Sequence, residues 1–97
     1  MNIQKLMKQA QQMQEQMQRE LAETVVDASV GGGMVAVRMN GQKQLLAITI
    51  DPEVLDPQDP DMAQDLVLSA INEAGRKVDE TMQERLGAMA PGLNLPL

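Results

Sequence analysis

The spacing of apolar residues changes twice along this chain, and these changes restrict the folds open to it. Residues 2–23 carry apolar side chains at intervals of three and four. These are Ile3, Leu6, Ala10, Met13, Met17 and Leu21. This repeat is typical of a helix with one apolar stripe, close to a coiled-coil seam. From residue 24 the pattern alternates as in strands, and from residue 60 a helical pattern returns.

Three short strands are predicted between the helices, at residues 24–30, 34–39 and 44–50. Gly31–Gly33 separates the first two. Asn40-Gly41 separates the last two and is typical of a type I′ hairpin, in which both central residues have positive φ. The spacing therefore predicts a three-stranded antiparallel meander between two long helices, an α+β fold in the order α-β-β-β-α.

The second helix is predicted over residues 60–87, beginning at Asp59-Pro60, an N-cap residue followed by proline. It would span about 40 Å, which is more than a three-stranded sheet can cover, so one end should project. Residues 51–60 contain three prolines and form a connection. Residues 89–97 are predicted to be a flexible apolar tail, and residues 1–88 a single domain.

A chain of 97 residues buries a limited core by itself, and homodimerisation is a common remedy. The stripe of the first helix could pack on its own sheet or form an intermolecular seam, and the second alternative is favoured because both helices outrun the sheet. The candidate core and dimer contacts are Met13, Met17, Val35, Val37, Leu46, Ile48, Ile50, Leu66 and Ile71.

The composition argues against an enzyme. The chain has no His, Cys or Tyr, and no base stands ready to activate Ser29 or Ser69. The six carboxylates of residues 51–65 are interrupted by prolines and lack the glycine of a calcium loop, so a solvated turn is expected. We therefore expect no cofactor, metal or small-molecule substrate. No apolar run approaches a membrane span, and the lack of cysteine favours a cytoplasmic protein.

The net charge of −6 by itself argues against nucleic acid as a partner, but the charge is uneven. Residues 1–14 carry Lys5 and Lys8 and no acid. From the residues alone, Lys5 and Lys8 are interpreted as part of a solvent-exposed helix face. The pairs Glu73–Lys77 and Arg76–Glu80 fit ordinary surface stabilisation of a helix. The absence of aromatic residues excludes binding modes that stack bases on rings.

Five segments together resemble the YbaB/EbfC family of bacterial nucleoid-associated proteins. They are LMKQAQQMQEQMQ at 6–18, VAVRMNG at 35–41, ITIDPEVL at 48–55, DLVLSAINEAGRKVDETMQE at 65–84 and GLNLP at 92–96. The resemblance implies a homodimer formed through the sheet region, with the long helices projecting as arms. It also implies binding to double-stranded DNA with little sequence preference, in the nucleoid, with effects on its organisation and on gene expression.

Carried onto this sequence, the resemblance implies six DNA-binding positions on the arms. They are Lys5, Lys8, Arg19, Arg76, Lys77 and Arg85. Paired arginines that some relatives carry after the hairpin turn are replaced here by Leu45 and Leu46. The alternative function is a protein-interaction scaffold associated with replication or recombination proteins, with little direct DNA contact.

Overall fold

A computed structural model of the chain describes residues 2–89. Its main elements are α1 (Ile3–Glu23), β1 (Val25–Val30), β2 (Val35–Asn40), β3 (Leu45–Ile50) and α2 (Pro60–Met89), with one 3-10 turn at Pro52–Val54. The predicted α+β fold class is confirmed. Residues 90–97, which hold most of the predicted tail, lie outside the described part of the chain. None of the helices within residues 2–89 is long and apolar enough to cross a membrane.

The three strands form an antiparallel sheet in the order β1-β2-β3. Ala28 lies opposite Val37, and Val35 lies opposite Ile50. Because facing residues of an antiparallel pair share one side of the sheet, these side chains form its core face. The buried core also includes α2 and the 3-10 turn, and its members are Ala28, Val35, Val37, Met39, Val54, Ala70, Ala74 and Val78.

Helix α2 packs on β1 and β2 and leaves β3 largely uncovered. The side chains of Ala70, Ala74 and Val78 follow one another at intervals of one turn and are fully or almost fully buried. Their small size lets the helix lie close to the sheet. On β3, Ile48 lies opposite the buried Val37, yet it remains 42% exposed. The core face of the sheet is therefore only partly covered by this chain.

Helix α1 projects from the rest of the molecule. None of its residues is buried, and it touches the sheet only near its C-terminal end. There the N–H of Gly41 donates to the carbonyl oxygens of Leu21 and Thr24, each at 2.9 Å, and the Thr24 hydroxyl donates to the Glu20 carbonyl at 2.7 Å. The molecule consequently extends 68 Å along its longest axis.

The turn between β2 and β3 differs from the type I′ turn expected at Asn40-Gly41. Within residues 2–89, φ is positive only at Gly31–Gly33 and at Lys43, where it is 63°. The connection is a three-residue loop formed by residues 41–43. The Lys43 N–H donates to the Asn40 carbonyl, and Lys43 itself adopts the left-handed conformation. Asn40 is important for another reason: its side-chain oxygen accepts hydrogen bonds from the N–H groups of Gln42 and Gln44.

Gly41 is required by close packing rather than by its φ. A Cβ at this position would lie 2.6 Å from the Leu21 carbonyl oxygen, which belongs to the backbone and cannot swing away. A bulge follows on β3, where Met39 lies opposite Leu45 and the pairing then skips Leu46. The end of α1 and the hairpin turn are therefore held in direct backbone contact.

We expect the Gly41→Ala variant to lose about 1–3 kcal/mol of folding free energy, because the new methyl group separates α1 from the turn. Urea unfolding followed by circular dichroism measures this loss. The same substitution at Gly87 is the control, since a Cβ there meets nothing within 4 Å. Equal stability of the two variants would contradict the steric role of Gly41.

Candidate nucleic-acid interface

Helix α1 carries its apolar stripe and its cations on opposite sides. A helix turns by about 100° per residue, so Lys8 and Arg19, eleven residues apart, lie on the same side about 16 Å from each other along the axis. Lys5 lies one turn before Lys8 and points to nearly the same side. The stripe that contains Met13 and Met17 is on the reverse. All three cations are exposed.

Polar side chains complete this cationic face. Gln12 and Gln16 lie on the same side of the helix as Lys5, about two and three turns further along, and Glu15 lies on the side of Lys8, about two turns further along. Within residues 2–89, the ion pairs do not include Lys5, Lys8 or Arg19. The three charges are thus available to an external anion, although Glu15 and Glu23, one turn before and one turn after Arg19 on the same side, lower the positive potential there.

The basic residues of α2 are arranged differently, because they point to three different sides of the helix. The Arg76 guanidinium is held between two carboxylates, at 2.6 Å from Glu73 and 2.8 Å from Glu80. The hydrogen bond from Arg76 lowers the pKa of Glu73, and the same carboxylate raises the pKa of Arg76. Two neighbouring carboxylates therefore already neutralise the charge of Arg76.

Lys77 is also engaged within the chain. Its ammonium group donates to the backbone carbonyl of Asp27 at 2.9 Å, so it covers part of the free edge of β1. Arg85 is exposed and lies two turns after the buried Val78, on the same side of α2. Since the sheet does not reach that far, Arg85 projects from the end of α2 toward the side on which the sheet lies.

Two basic residues outside the predicted set are also exposed. Arg38 lies on the face of the sheet opposite the core and forms a 2.9 Å ion pair with Asp27, which is its facing partner on β1. Lys43 pairs with Asp79 at 3.0 Å and so joins the hairpin turn to α2. The strand alternation places Arg38 on the outer face, but the sequence offers no signal for the Lys43–Asp79 pair.

A shallow depression of about 420 Å³ opens beside Arg38 on the outer face of the sheet. Short side chains line it, among them Ser29, Ala36, Ala47 and Thr49. Its charged residues are Asp27, Arg38 and Lys77, each already paired within the chain. The depression therefore lacks a free charged group that would hold a ligand.

The candidate core and dimer residues divide into two groups. Val35 and Val37 are buried in the chain's own core, and Ile50, Leu66 and Ile71 pack partly against it. The remaining four are exposed by 42% to 68%: Met13, Met17, Leu46 and Ile48. The exposed group lies on α1 and on β3, the two elements that α2 leaves uncovered.

The acidic connection lies at the other end of the sheet from α1. The Asp51 N–H donates to the Met34 carbonyl beside the β1–β2 turn, whereas α1 meets the β2–β3 turn. The side chains of Asp51 and Asp56 accept hydrogen bonds from the N–H groups of Glu53 and Gln58, so they stabilise local turns. Within residues 2–89 no group of three or more acidic side chains is placed to hold a metal ion.

Comparison with known proteins agrees with the resemblance noted in the sequence. The family model described as the YbaB/EbfC DNA-binding family matches residues 1–93. A nucleoid-associated protein of Koribacter versatilis is 50% identical, with 98% of this chain and 94% of that protein covered. The chain therefore belongs to the YbaB/EbfC family.

Two further relatives extend the comparison. The nucleoid-associated protein YaaK of Bacillus subtilis is 55% identical over 75 residues, covering 77% of this chain and 70% of that protein. A crystal structure of an uncharacterized Helicobacter pylori protein aligns with a TM-score of 0.66 at 27% identity, covering 87% of this chain and 98% of that one. The helix–sheet–helix architecture thus has a counterpart among solved structures.

The Asp27–Arg38 pair predicts a pH dependence. The hydrogen bond from Arg38 lowers the pKa of Asp27, so the pair stabilises the fold above the pKa of Asp27 in the unfolded chain. This stabilisation is lost as the pH falls through the lower pKa of the folded state. Carboxyl NMR titration should find the pKa of Asp27 below its ordinary value, and Arg38→Gln should move it back. An Asp27 pKa that does not change in this variant would contradict the pair.

Proposed function

We propose that the protein binds double-stranded DNA as a homodimer with low sequence specificity, and that it thereby affects nucleoid organisation and gene expression. Membership of the YbaB/EbfC family supports DNA as the partner. The observation that carries the proposal is the exposed face of α1 with Lys5, Lys8 and Arg19 and no internal ion pair to these residues. The protein acts by binding, without a catalytic step.

Cations on a projecting helix can bind DNA although the whole chain is acidic. Each Lys or Arg that neutralises a phosphate releases condensed counterions, and this release drives binding without reading the base sequence. The six acids of residues 51–65 follow β3, which ends at the edge of the sheet far from α1, where the Asp51 N–H donates to the Met34 carbonyl. At physiological ionic strength the Debye length is about 8 Å, so their repulsion is largely screened at the arm.

The polar side chains of α1 are suited to a mainly sequence-independent contact. Gln12 and Gln16 follow Lys5 on the same side of α1, and glutamine can donate to phosphate oxygens or reach base edges. A few cations per protomer give modest affinity, and a dimer doubles the number of contacts. Among the arm positions, Arg76 and Lys77 contribute less, because their charges are already paired within the chain.

The uncovered side of β3 and the adjoining side of α2 supply the dimer contact. Ile48 is 42% exposed and Leu68 is 61% exposed. An open, mainly apolar hollow on α2 is lined by Ala63, Gln64, Val67, Leu68 and Ile71. Exposed apolar surface of this kind marks contact sites on proteins. Covering it with a second copy would complete the core that α2 leaves open.

Replacing three charges by neutral glutamine tests the DNA-binding face. We expect Lys5→Gln/Lys8→Gln/Arg19→Gln to weaken duplex binding and to make the salt dependence shallower by about 0.9 for each lost phosphate contact. Arg76→Gln is the control, with a smaller effect because Glu73 and Glu80 already neutralise Arg76. Glu15→Gln should strengthen binding.

Fluorescence anisotropy titrations of a labelled duplex at several salt concentrations measure these effects. Unchanged binding by the triple variant would refute the α1 face as the contact surface. Failure of the unaltered protein to bind a duplex at low salt would refute the DNA-binding function itself. Recovery of a replication or recombination protein from nuclease-treated extract, together with that failure, would favour the scaffold function.

Neighbouring residues of β3 provide a matched test of the dimer. Ile48 lies on the core face and Thr49 on the outer face, and both are exposed. We expect Ile48→Lys to shift the protein to monomer, because the new charge would be buried against the second copy, whereas Thr49→Lys should leave the dimer intact. Sedimentation equilibrium at micromolar concentration distinguishes these outcomes. A monomeric parent protein, or a dimeric Ile48→Lys variant, would contradict the proposed interface.

A further inference from the structure

The turn between β2 and β3 contains a chemically reactive pair, Asn40-Gly41. In an asparagine followed by glycine, the glycine nitrogen can attack the side-chain amide, because glycine has no Cβ to hinder the approach. Asn40 is the only asparagine of the chain that precedes a glycine, since Asn2, Asn72 and Asn94 precede isoleucine, glutamate and leucine. The sequence therefore confines this reaction to a single turn.

The turn polarises the amide carbon that would be attacked. The Asn40 side-chain oxygen accepts hydrogen bonds from the N–H groups of Gln42 at 3.0 Å and Gln44 at 2.9 Å. Two N–H donors on one oxygen stabilise the negative charge that forms there when a nucleophile adds to Cγ. The leaving nitrogen, Nδ2, is held by a 2.8 Å hydrogen bond to the Gln44 Oε1. The contacts within the turn thus assist the addition to Cγ.

The attacking nitrogen, by contrast, is blocked by the end of α1. The Gly41 N–H donates to the carbonyl oxygens of Leu21 and Thr24, each at 2.9 Å. The nitrogen must lose this proton before it attacks, and the two carbonyl oxygens would then repel the negative charge left on it. The contact is tight, because a Cβ on Gly41 would lie 2.6 Å from the Leu21 oxygen. The reaction therefore requires α1 to leave the turn.

We propose that Asn40 is a deamidation site that the docked end of α1 keeps unreactive, and that deamidation then prevents α1 from docking again. When α1 detaches, the Gly41 nitrogen loses its proton and bonds to Cγ of Asn40, and Nδ2 leaves as ammonia. Water opens the resulting succinimide. Attack at Cγ gives aspartate, and attack at the main-chain carbonyl carbon gives isoaspartate. The net reaction consumes one water and releases one ammonia.

Both products weaken the docked arrangement. Isoaspartate adds a methylene to the main chain, which displaces the Gly41 N–H from the carbonyls of Leu21 and Thr24. Aspartate places a carboxylate at a position that is only 3% exposed, and it lacks the donor that faces the Gln44 Oε1. Burial of a charge without a partner is unfavourable. Since no residue of α1 is buried and the helix meets the sheet only at this end, no other contact restores its position.

The same substitution at two alanines of α1 tests the blocking contact. Ala22→Pro disfavours the helical conformation of the preceding Leu21 and should detach the end of α1. Ala10→Pro breaks the helix about three turns earlier, so docking should persist. Both alanines are exposed. We expect Asn40 deamidation to be at least about tenfold faster in Ala22→Pro than in the unaltered protein, and within about twofold of it in Ala10→Pro.

Peptide mass spectrometry of the full chain during incubation in mildly alkaline buffer measures these rates. Asn72, which is exposed but precedes a glutamate, is the internal reference and should react slowly in all three proteins. Circular dichroism verifies that the variants fold. If Ala22→Pro does not fold, the unaltered protein is compared across urea concentrations below its unfolding transition.

Hydrogen exchange of the Gly41 amide measures the detachment of α1 independently. Exchange and cyclisation both require this N–H to leave the two carbonyls, so the two rates should rise by the same factor in Ala22→Pro and in dilute urea. The isoaspartate form, separated by chromatography, should exchange the Gly41 amide at least about tenfold faster than the unmodified protein, because α1 no longer docks.

Each step of the proposal has a result that would overturn it. Deamidation of the folded protein as fast as that of the urea-unfolded chain, or equal acceleration by the two proline variants, would refute blocking by α1. Faster Gly41 exchange without faster deamidation would refute it as well. Unchanged protection of the Gly41 amide in the isoaspartate form would refute the lasting detachment. None of these measurements involves DNA, so they decide the proposal whether or not the protein binds a duplex.

Discussion

The packing of α2 against β1 and β2 determines which other surfaces the chain leaves open. The side chains in that contact are small: Ala70, Ala74 and Val78 on the helix meet Val35 and Val37 on the sheet. Such side chains allow a close approach but cover a narrow strip. Leu66, Val67, Ile71 and Met82 pack only partly against the core, and the helix makes few contacts with β3. The uncovered β3 surface is thus a consequence of how this small core is built.

A second contact, at the β2–β3 turn, fixes the position of α1. The β2–β3 turn binds the last carbonyl groups of α1 through the Gly41 N–H, and the Lys43–Asp79 pair joins that turn to α2. The start of α1 is therefore far from the sheet, and the stretch with Lys5 and Lys8 is at the tip. The acidic connection is at the opposite end because it follows β3. The fold therefore keeps the basic start of α1 away from the acidic connection that follows β3.

Periodicity was sufficient to predict the fold class, because the change between helical and alternating spacing is unambiguous at residues 24 and 60. It did not predict the turn conformation, since Asn40-Gly41 satisfies other demands here: side-chain hydrogen bonds from Asn40 and close packing at Gly41. It also did not predict how little of β3 is covered. Coverage depends on the width of α2's contact face, which spacing alone does not specify.

The candidate site was only partly predictable for a related reason. Sequence spacing does place Lys5, Lys8 and Arg19 on one side of α1, because a single helix carries all three. On α2 the family resemblance identifies basic positions, but their availability depends on neighbours in three dimensions. Lys77 reaches a carbonyl of β1, 50 residues away in sequence, and no local pattern reports that contact.

A protein with net charge −6 can bind DNA only if the few cations it has act together at a distance from its acids. The first half of α1 meets this condition, since residues 3–14 carry Lys5 and Lys8 and no acid, whereas Arg19 lies between Glu15 and Glu23. The projection of α1 leaves its apolar side without a core to enter. Within a single chain the two properties are inseparable: if α1 packed on the sheet, its stripe would be satisfied but its cations would lie closer to the acidic segment.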